Sequence, residues 1–346
     1  MASDVVVAAE RKPAVVDPPT EARKPRHFPS FDGLRAIAAV SVLLLHTAWV
    51  SGFTSRSAWG AYTSRLEIGV SVFFLISGFL LYRPFAVSHL ADLPAPSTRR
   101  FFERRLLRIV PAYWAALTIL GLFHVITLGP GWGGVAAHYL FLQIYFPSQV
   151  VTGITQAWSL CTEMSFYLFL PFYAAVVAHR RRSAENQLGR EFLGLAVLVA
   201  VSFAFRDWAL HQPLIRVSGG RFVAVCAPNC ATNPPFSTLM ADWLPATLDL
   251  FAFGMLLAVL SAWFTQHDSE PRWLSHRLMP YLSWGAAVLV FVWVSHVVTD
   301  HDILYFVKPR VNLERQTLYG LFAFFLLLPA VFGPQDRSLV RRFLQC

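Results

Sequence analysis

Ionisable residues stand in several stretches of this sequence that are otherwise apolar. The first stretch is FDGLRAIAAVSVLLLH (31–46), where Asp32 and Arg35 precede a Leu/Val/Ala run that ends on His46. At about 100° per residue, the eleven steps from Arg35 to His46 return to within about 20° of the same helical face, with a rise of about 16 Å. Asp32, one turn before Arg35, lies near that face. Charged groups at membrane depth are costly and line cavities or pair with one another. The stripe therefore points to a functional His46 and an in-phase Arg35 lining a cavity. A histidine hydrogen-bonded to a neighbouring helix, with a structural role only, is the alternative.

The second stretch is WSLCTEMSFYLFLPF (158–172). Ser159 and Tyr167 are four residues to either side of Glu163, so the three share a helical face. A carboxylate there needs a partner, and His46 and Arg35 are the candidates. A His46–Glu163 pair would fix the imidazole tautomer and raise its basicity. The structural alternative is an ion pair between helices. The third stretch is RRFFERRLLRIVPAYW (99–114), in which Arg105 and Arg108 form an RxxR on one face with Arg104 beside them. Guanidinium forks match phosphate oxygens bidentately, and simple anchoring at a membrane surface is the alternative. In GVSVFFLISGFLLYRP (69–84), the small residues around Ser77 permit close helix packing. Asp249, in LPATLDLFAFGML (244–256), is a further charge that packing does not explain. Arg206, near the end of its helix, is expected to snorkel or to pair with Asp207.

Helices must position these groups, and the composition says that the helices are membrane spans. The chain has 346 residues, of which 55% are hydrophobic and 14% charged, with a mean hydropathy of +0.49. Soluble domains carry roughly 25% charged residues. The periodicity and length of the apolar runs predict an all-α, polytopic bundle with spans near 34–50, 67–82, 107–127, 157–178, 191–209, 243–264, 279–299 and 316–333, eight to nine in all. Residues 135–146 are apolar but too short to cross, and are expected as a re-entrant or interfacial helix. Residues 1–29, rich in proline and charge, read as a disordered cytoplasmic tail preceding one membrane domain over 30–346.

Arginine and lysine in the tail, six arginines over 83–108, the HRRR run at 179–182 and the basic C-terminal segment place the N-terminus in the cytoplasm. The net charge of +9 is thus assigned to these loops rather than to nucleic-acid binding. Lys308, Arg310 and Arg315 then fall in an outer loop, where they either form a solvated face or receive an anion. Cys226 and Cys230 share the outer CAPNC loop, where a disulfide is favoured over two free thiols. Zinc is disfavoured because no second cysteine or histidine pair has ligand spacing, and no metal is expected.

Taken together, FDGLRAIAAVSVLLLH, GVSVFFLISGFLL, RRLLRIVPAYW, WSLCTEMSFYLFLPF and LDLFAFGMLLA resemble, in order, the motifs of the membrane-bound acyltransferase 3 family over about residues 28–346. The resemblance implies transfer of an acyl group, often acetyl, from cytoplasmic acyl-CoA, a co-substrate rather than a bound cofactor. The acceptor would be a hydroxyl of an extracytoplasmic or lipid-linked sugar or glycolipid. It also implies a catalytic role for His46 with Arg35, acyl-CoA handling by Arg105 and Arg108, and a functional Glu163. Family members usually continue past RRFLQC into a further helix. Arg104 would bind acyl-CoA beside Arg105 and Arg108, and Glu163 or Asp32 would orient His46, with Ser159, Tyr167, Ser77 and Asp249 in support. The rival from another class is a proton-coupled transporter using the same intramembrane Arg, His and Glu as a relay. The internal repeats common in such folds are not evident in this sequence.

Overall fold

The computed structural model describes residues 28–345 except 130, 151, 179–183, 212–214, 219–220, 225–238, 298–308 and 334–337. The 1–27 tail and the Cys226–Cys230 loop fall outside the described residues. Eight long helices carry the fold: α1 (Ser30–Val50), α4 (Ile68–Leu90), α5 (Thr98–Leu122), α7 (Trp158–Val177), α8 (Ala184–Leu210), α9 (Leu244–His267), α10 (Met279–His296) and α11 (Pro309–Val331). They match the eight apolar runs of the sequence. The first seven are long and apolar enough to cross a membrane. The eighth, α11, opens on Arg310, Glu314 and Arg315. Short helices α2 (Phe53–Arg56), α3 (Gly60–Thr63), α6 (Gly131–Tyr139) and α12 (Leu339–Gln345) fill the connections. Among the described residues, the exception to the helical architecture is a two-stranded antiparallel ribbon, β1 (Ile215–Ser218) and β2 (Arg221–Ala224), in the α8–α9 connection.

Side-chain contacts fix the helix directions. Phe79 of α4 meets Phe28 and Phe31 near the start of α1, and Gly69 faces Ala38, Ser41 and Val42 farther along it, so α1 and α4 are antiparallel. Phe74 meets Trp158, Ser77 meets Glu163 and Tyr82 meets Tyr173, so α4 and α7 run parallel. The 123–157 connection accordingly begins and ends at one end of the bundle. It does so by another route than the predicted 135–146 helix. Phe141, at φ 60°, breaks the chain after α6, and a 3-10 turn at Gln143–Tyr145 follows. Trp243 donates to the Ile144 carbonyl at 3.0 Å and pins that turn to the head of α9.

The core sits on α4 and α9. Buried residues make up 72% of the apolar window of α9 and 61% of that of α4, against 17% for α1 and 11% for α5. Two glycines let the central pair approach. A Cβ on Gly78 would lie 2.2 Å from the Phe251 carbonyl oxygen, and one on Gly254 would lie 2.0 Å from that of Leu75. This is the small-residue packing that stands in for the hydrophobic effect between helices in lipid. Helix α5 begins one residue after Ser97, whose hydroxyl accepts from the Arg100 amide at 3.5 Å and caps it. Helix α12 returns to the start of α1, where the Leu344 backbone lies against Gly33. The buried Arg341 donates to the Pro329 carbonyl at 2.8 Å and to the Phe332 carbonyl at 2.5 Å. It thereby satisfies acceptors that the end of α11 leaves open.

Candidate functional site

Four helices open a cleft of about 280 Å³ between them, lined by Arg35 of α1, Phe73–Leu81 residues of α4, Arg105 and Arg108 of α5, and Ser159, Glu163 and Tyr167 of α7. The i, i+4 spacing read from the sequence does place Ser159, Glu163 and Tyr167 on one wall. The carboxylate is held by hydroxyls. Ser77 Oγ donates to Glu163 Oε1 at 2.5 Å, and Tyr167 Oη donates to the same oxygen at 2.7 Å. Glu163 Oε2 has no hydrogen-bond partner among the described residues. The expected partners, His46 and Arg35, do not hydrogen-bond to Glu163.

Three guanidiniums face this one carboxylate across the cleft. Arg35 Nη1 donates to Asp32 Oδ1 at 2.9 Å. Asp32 is 79% exposed and Arg35 only 26%, so Asp32 stands at the rim and Arg35 forms the wall. Neither Arg105 nor Arg108 donates a hydrogen bond among the described residues, and the Arg105 Nε is buried without an acceptor. Unpaired guanidinium in a partly dehydrated cleft is an anion site in search of its anion. Arg104 is exposed on α5 and does not line the cleft. The remaining lining is apolar, with Phe73, Leu80, Ile109 and Leu160 among it.

His46 stands apart from the cleft. The α1 segment 38–42 lies level with Gly69, one residue into α4, so His46 lies beyond the start of α4 and about 16 Å along the axis from Arg35. Its Nδ1 is 2.8 Å from the Val42 carbonyl. A carbonyl only accepts, so Nδ1 carries a proton, which leaves Nε2 as the nitrogen that can offer a lone pair. The backbone thus sets the tautomer that a carboxylate was expected to set. Asp249 is also elsewhere. It is 1% exposed and accepts from Ser202 at 2.8 Å and Gln316 at 3.2 Å, which explains its burial between α8, α9 and α11. Arg206 does not pair with Asp207. It turns inward to the carbonyls of Ala241 and Ala246 and to Asn312 Oδ1.

Arg310 is paired with Glu314 at 3.0 Å and Arg315 with Glu67 at 3.5 Å, which reduces the anion-binding reading of that segment; Lys308 lies outside the described residues. A buried cluster went unread in the sequence. Glu191, 0% exposed, accepts from Tyr82 at 2.5 Å and meets His89 Nδ1 at 2.6 Å. Its signal was available, since REFLGLAV sets a carboxylate at the head of an apolar run. Among the described residues no group of three or more His, Cys, Asp or Glu could hold a metal.

The fold and the cleft define a polytopic helical membrane protein with an anion-suited site. A family model for an acyltransferase domain, that of acyltransferase family 3, matches residues 28–335, and the chain belongs to this family. Acyltransferase MdmB of Streptomyces mycarofaciens is 31% identical over 247 residues, which cover 67% of this chain and 57% of that protein. The O-acetyltransferase OatA of Staphylococcus aureus is 25% identical over 201 residues, or 53% of this chain and 31% of OatA. Nodulation protein 10 of Rhizobium leguminosarum bv. viciae is 25% identical over 224 residues, 58% of each chain. The chain thus spans about a third to three fifths of these relatives' lengths. No solved structure matches it.

Proposed function

We propose that the chain moves an acyl group, acetyl in the first instance, from cytoplasmic acyl-CoA to a hydroxyl of an extracytoplasmic or lipid-linked carbohydrate. The observation that carries this reading is the pair of unpartnered guanidiniums, Arg105 and Arg108, in a membrane cleft beside Glu163. Coenzyme A is the polyanionic end of a thioester, and RxxR on one helical face offers two forks to its phosphates. Arg35 adds a third cation. The α5-start end of the bundle also carries Arg99, Arg100 and Arg104, which supports a cytoplasmic position for that end and for the N-terminus. Membrane lipid surrounds the bundle in this reading.

The chemistry requires a hydroxyl to lose its proton as it attacks the acyl carbonyl. A neutral imidazole with Nε2 bare meets that need near neutral pH, and His46 is the proposed base at the acceptor end. The Val42 carbonyl holds the tautomer. Arg35, Arg105 and Arg108 bind the donor at the other end. Relatives named as an acyltransferase and an O-acetyltransferase support acyl transfer to oxygen.

The test uses purified protein in nanodiscs with radiolabelled acetyl-CoA. Steady-state CoA release by the wild type, lost in His46→Ala and requiring much higher acetyl-CoA in Arg105→Ala/Arg108→Ala, is the expected outcome. Folded protein that neither binds nor consumes acyl-CoA rules the reading out and returns the cleft to the transporter alternative.

A further inference from the structure

We propose that Ser77 is an acyl-accepting nucleophile, so that the acyl group leaves coenzyme A for the Ser77 oxygen before it reaches an alcohol. This inference rests on the acyl-CoA reading of the cleft. It starts from a mismatch: the cleft contains the cations suited to the donor, whereas His46 lies about 16 Å along α1 from Arg35. The group in the cleft with the geometry of an activated nucleophile is Ser77. Its hydroxyl donates to Glu163 Oε1 at 2.5 Å, and the carboxylate is itself fixed by Tyr167 at 2.7 Å. A nucleophile, a base within hydrogen-bond reach and a third group orienting the base form the arrangement that makes a hydroxyl reactive. Ser77, Glu163 and Tyr167 come from α4 and α7, which run parallel, and all three line the cleft.

Packing holds the serine in place. It sits between Ile76, 1% exposed, and Gly78, whose backbone meets the Phe251 carbonyl oxygen so closely that no side chain fits. The Arg105 Nε, buried without an acceptor on the same cleft, supplies a donor for negative charge on a carbonyl oxygen. A structural role for Ser77, donating to a buried carboxylate and no more, would account for the hydrogen bond. It would leave unexplained why the serine and the carboxylate face the cleft rather than the packed side of α4.

The step balances. Ser77 Oγ attacks the thioester carbonyl, the Oγ–C bond forms and the C–S bond breaks. The serine proton passes to Glu163 and from it to the departing sulfur, giving an acyl-serine ester and free CoA thiol. In the second half an alcohol attacks the ester carbonyl, and the Oγ–C bond breaks. The alcohol's proton reaches Ser77 Oγ by way of Glu163, which restores both residues; in this two-step route Glu163 takes the part at the serine ester that direct transfer assigns to His46. No oxidant, metal or further reactant is needed.

The test is a single turnover of the full chain in nanodiscs with radiolabelled acetyl-CoA and no added acceptor, following CoA release and protein-bound label together. The expected result is up to one equivalent of each, the label resting on the peptide that contains Ser77 and released by hydroxylamine. Ser77→Ala loses the label. Ser77→Cys retains it as a thioester, which keeps the proposal open to test should the alanine variant fold poorly. CoA release without protein-bound label, label on His46, or label surviving in a folded Ser77→Ala overturns the acyl-serine and leaves the donor reading intact. Absence of both CoA binding and release overturns the two together.

Discussion

At the scale of single residues, the two functions of Glu163 can be separated by substitution. Its Oε1 accepts from Ser77 and Tyr167. Glu163→Gln keeps an oxygen for both donors but removes the group that takes a proton. The expected result is a loss of acyl transfer of about 10²- to 10⁴-fold with little change in melting temperature, read by CoA release and by fluorescence-detected size exclusion. Glu163→Leu strands two hydroxyls and should cost stability as well, about 1–3 kcal/mol for each buried donor left unmade. Equal melting of the two variants would show that the hydroxyls find other partners. For the guanidiniums, a lost charge-assisted hydrogen bond of about 1.5–3 kcal/mol corresponds to a rise in the KM for acetyl-CoA of roughly 10- to 100-fold. Arg108→Ala should approach that rise with a smaller change in kcat, and Arg105→Ala should lower kcat as well. Arg104→Ala, off the cleft, should do neither. Arg35, Arg105, Arg108 and Glu163, which line one cleft, were legible as candidate-site residues because a charge inside an apolar run has few structural excuses. The partner of Glu163 was not legible. Ser77 is 86 residues distant in sequence, and nothing in one sequence fixes which helices become neighbours. Periodicity likewise put Arg35 and His46 on one face, but only the packing of α1 against Gly69 sets their depth relative to α4.

At the scale of elements, the close approach of α4 and α9 positions the wall that carries Ser77. Gly254 is the sharper test because its added Cβ would fall 2.0 Å from the Leu75 carbonyl, a backbone atom that has no rotamer to change. Gly254→Val should force the two central helices apart and lower the melting temperature of the detergent-solubilised protein, with CoA release lost in parallel. Gly285→Val in α10, where an added Cβ meets nothing within 4 Å, serves as the control and should leave both measurements near wild type. A variant at 254 that melts like the control would mean that the contact is not a tight one. The eight long helices were readable from length and hydropathy, since the cost of unsatisfied backbone in lipid leaves few other structures. Their ends were less so. The RxxR helix begins at Thr98, well before the apolar run, because Ser97 caps it. The predicted 135–146 helix became α6 and a 3-10 turn because Phe141 leaves the helical region, which apolarity alone does not announce. Helix α12 was read only as a basic tail, yet Arg341 is buried against the end of α11. An arginine in a short segment looks the same to composition whether it faces water or carbonyl oxygens.

At the scale of the whole molecule, the two ends of the bundle differ in kind. One end bears the arginines around the cleft. The other buries a mixed-charge cluster: Arg206 on the carbonyls of Ala241 and Ala246, Asp249 with Ser202 and Gln316, and Glu67 with Tyr319 and Arg315. Asp242, in the turn before α9 and outside the spans, joins this cluster electrostatically. Burial pushes its carboxyl up to about 7, with Glu67 adding to the shift and Arg206 and Arg315 opposing it. The ordinary aspartate value is near 4, so between about pH 4 and 7 the folded protein holds a proton that the unfolded chain has released. Stability from this group is therefore greatest at low pH, declines as pH rises through that window, and is level above it. Other groups titrate in the same range, so the informative quantity is a difference of differences. The melting temperature at pH 5.5 minus that at pH 8 should be more positive for the wild type than for Asp242→Asn, whose amide carries no charge to desolvate. The variant should also be the more stable of the two at pH 8. The Asp242 carbonyl accepts from Thr162 Oγ1 at 2.7 Å, one residue from Glu163, which ties this end to the cleft wall through α7. An identical pH difference in the two proteins would show that Asp242 is ionised in the fold at both pH values and that the cluster stabilises its charge.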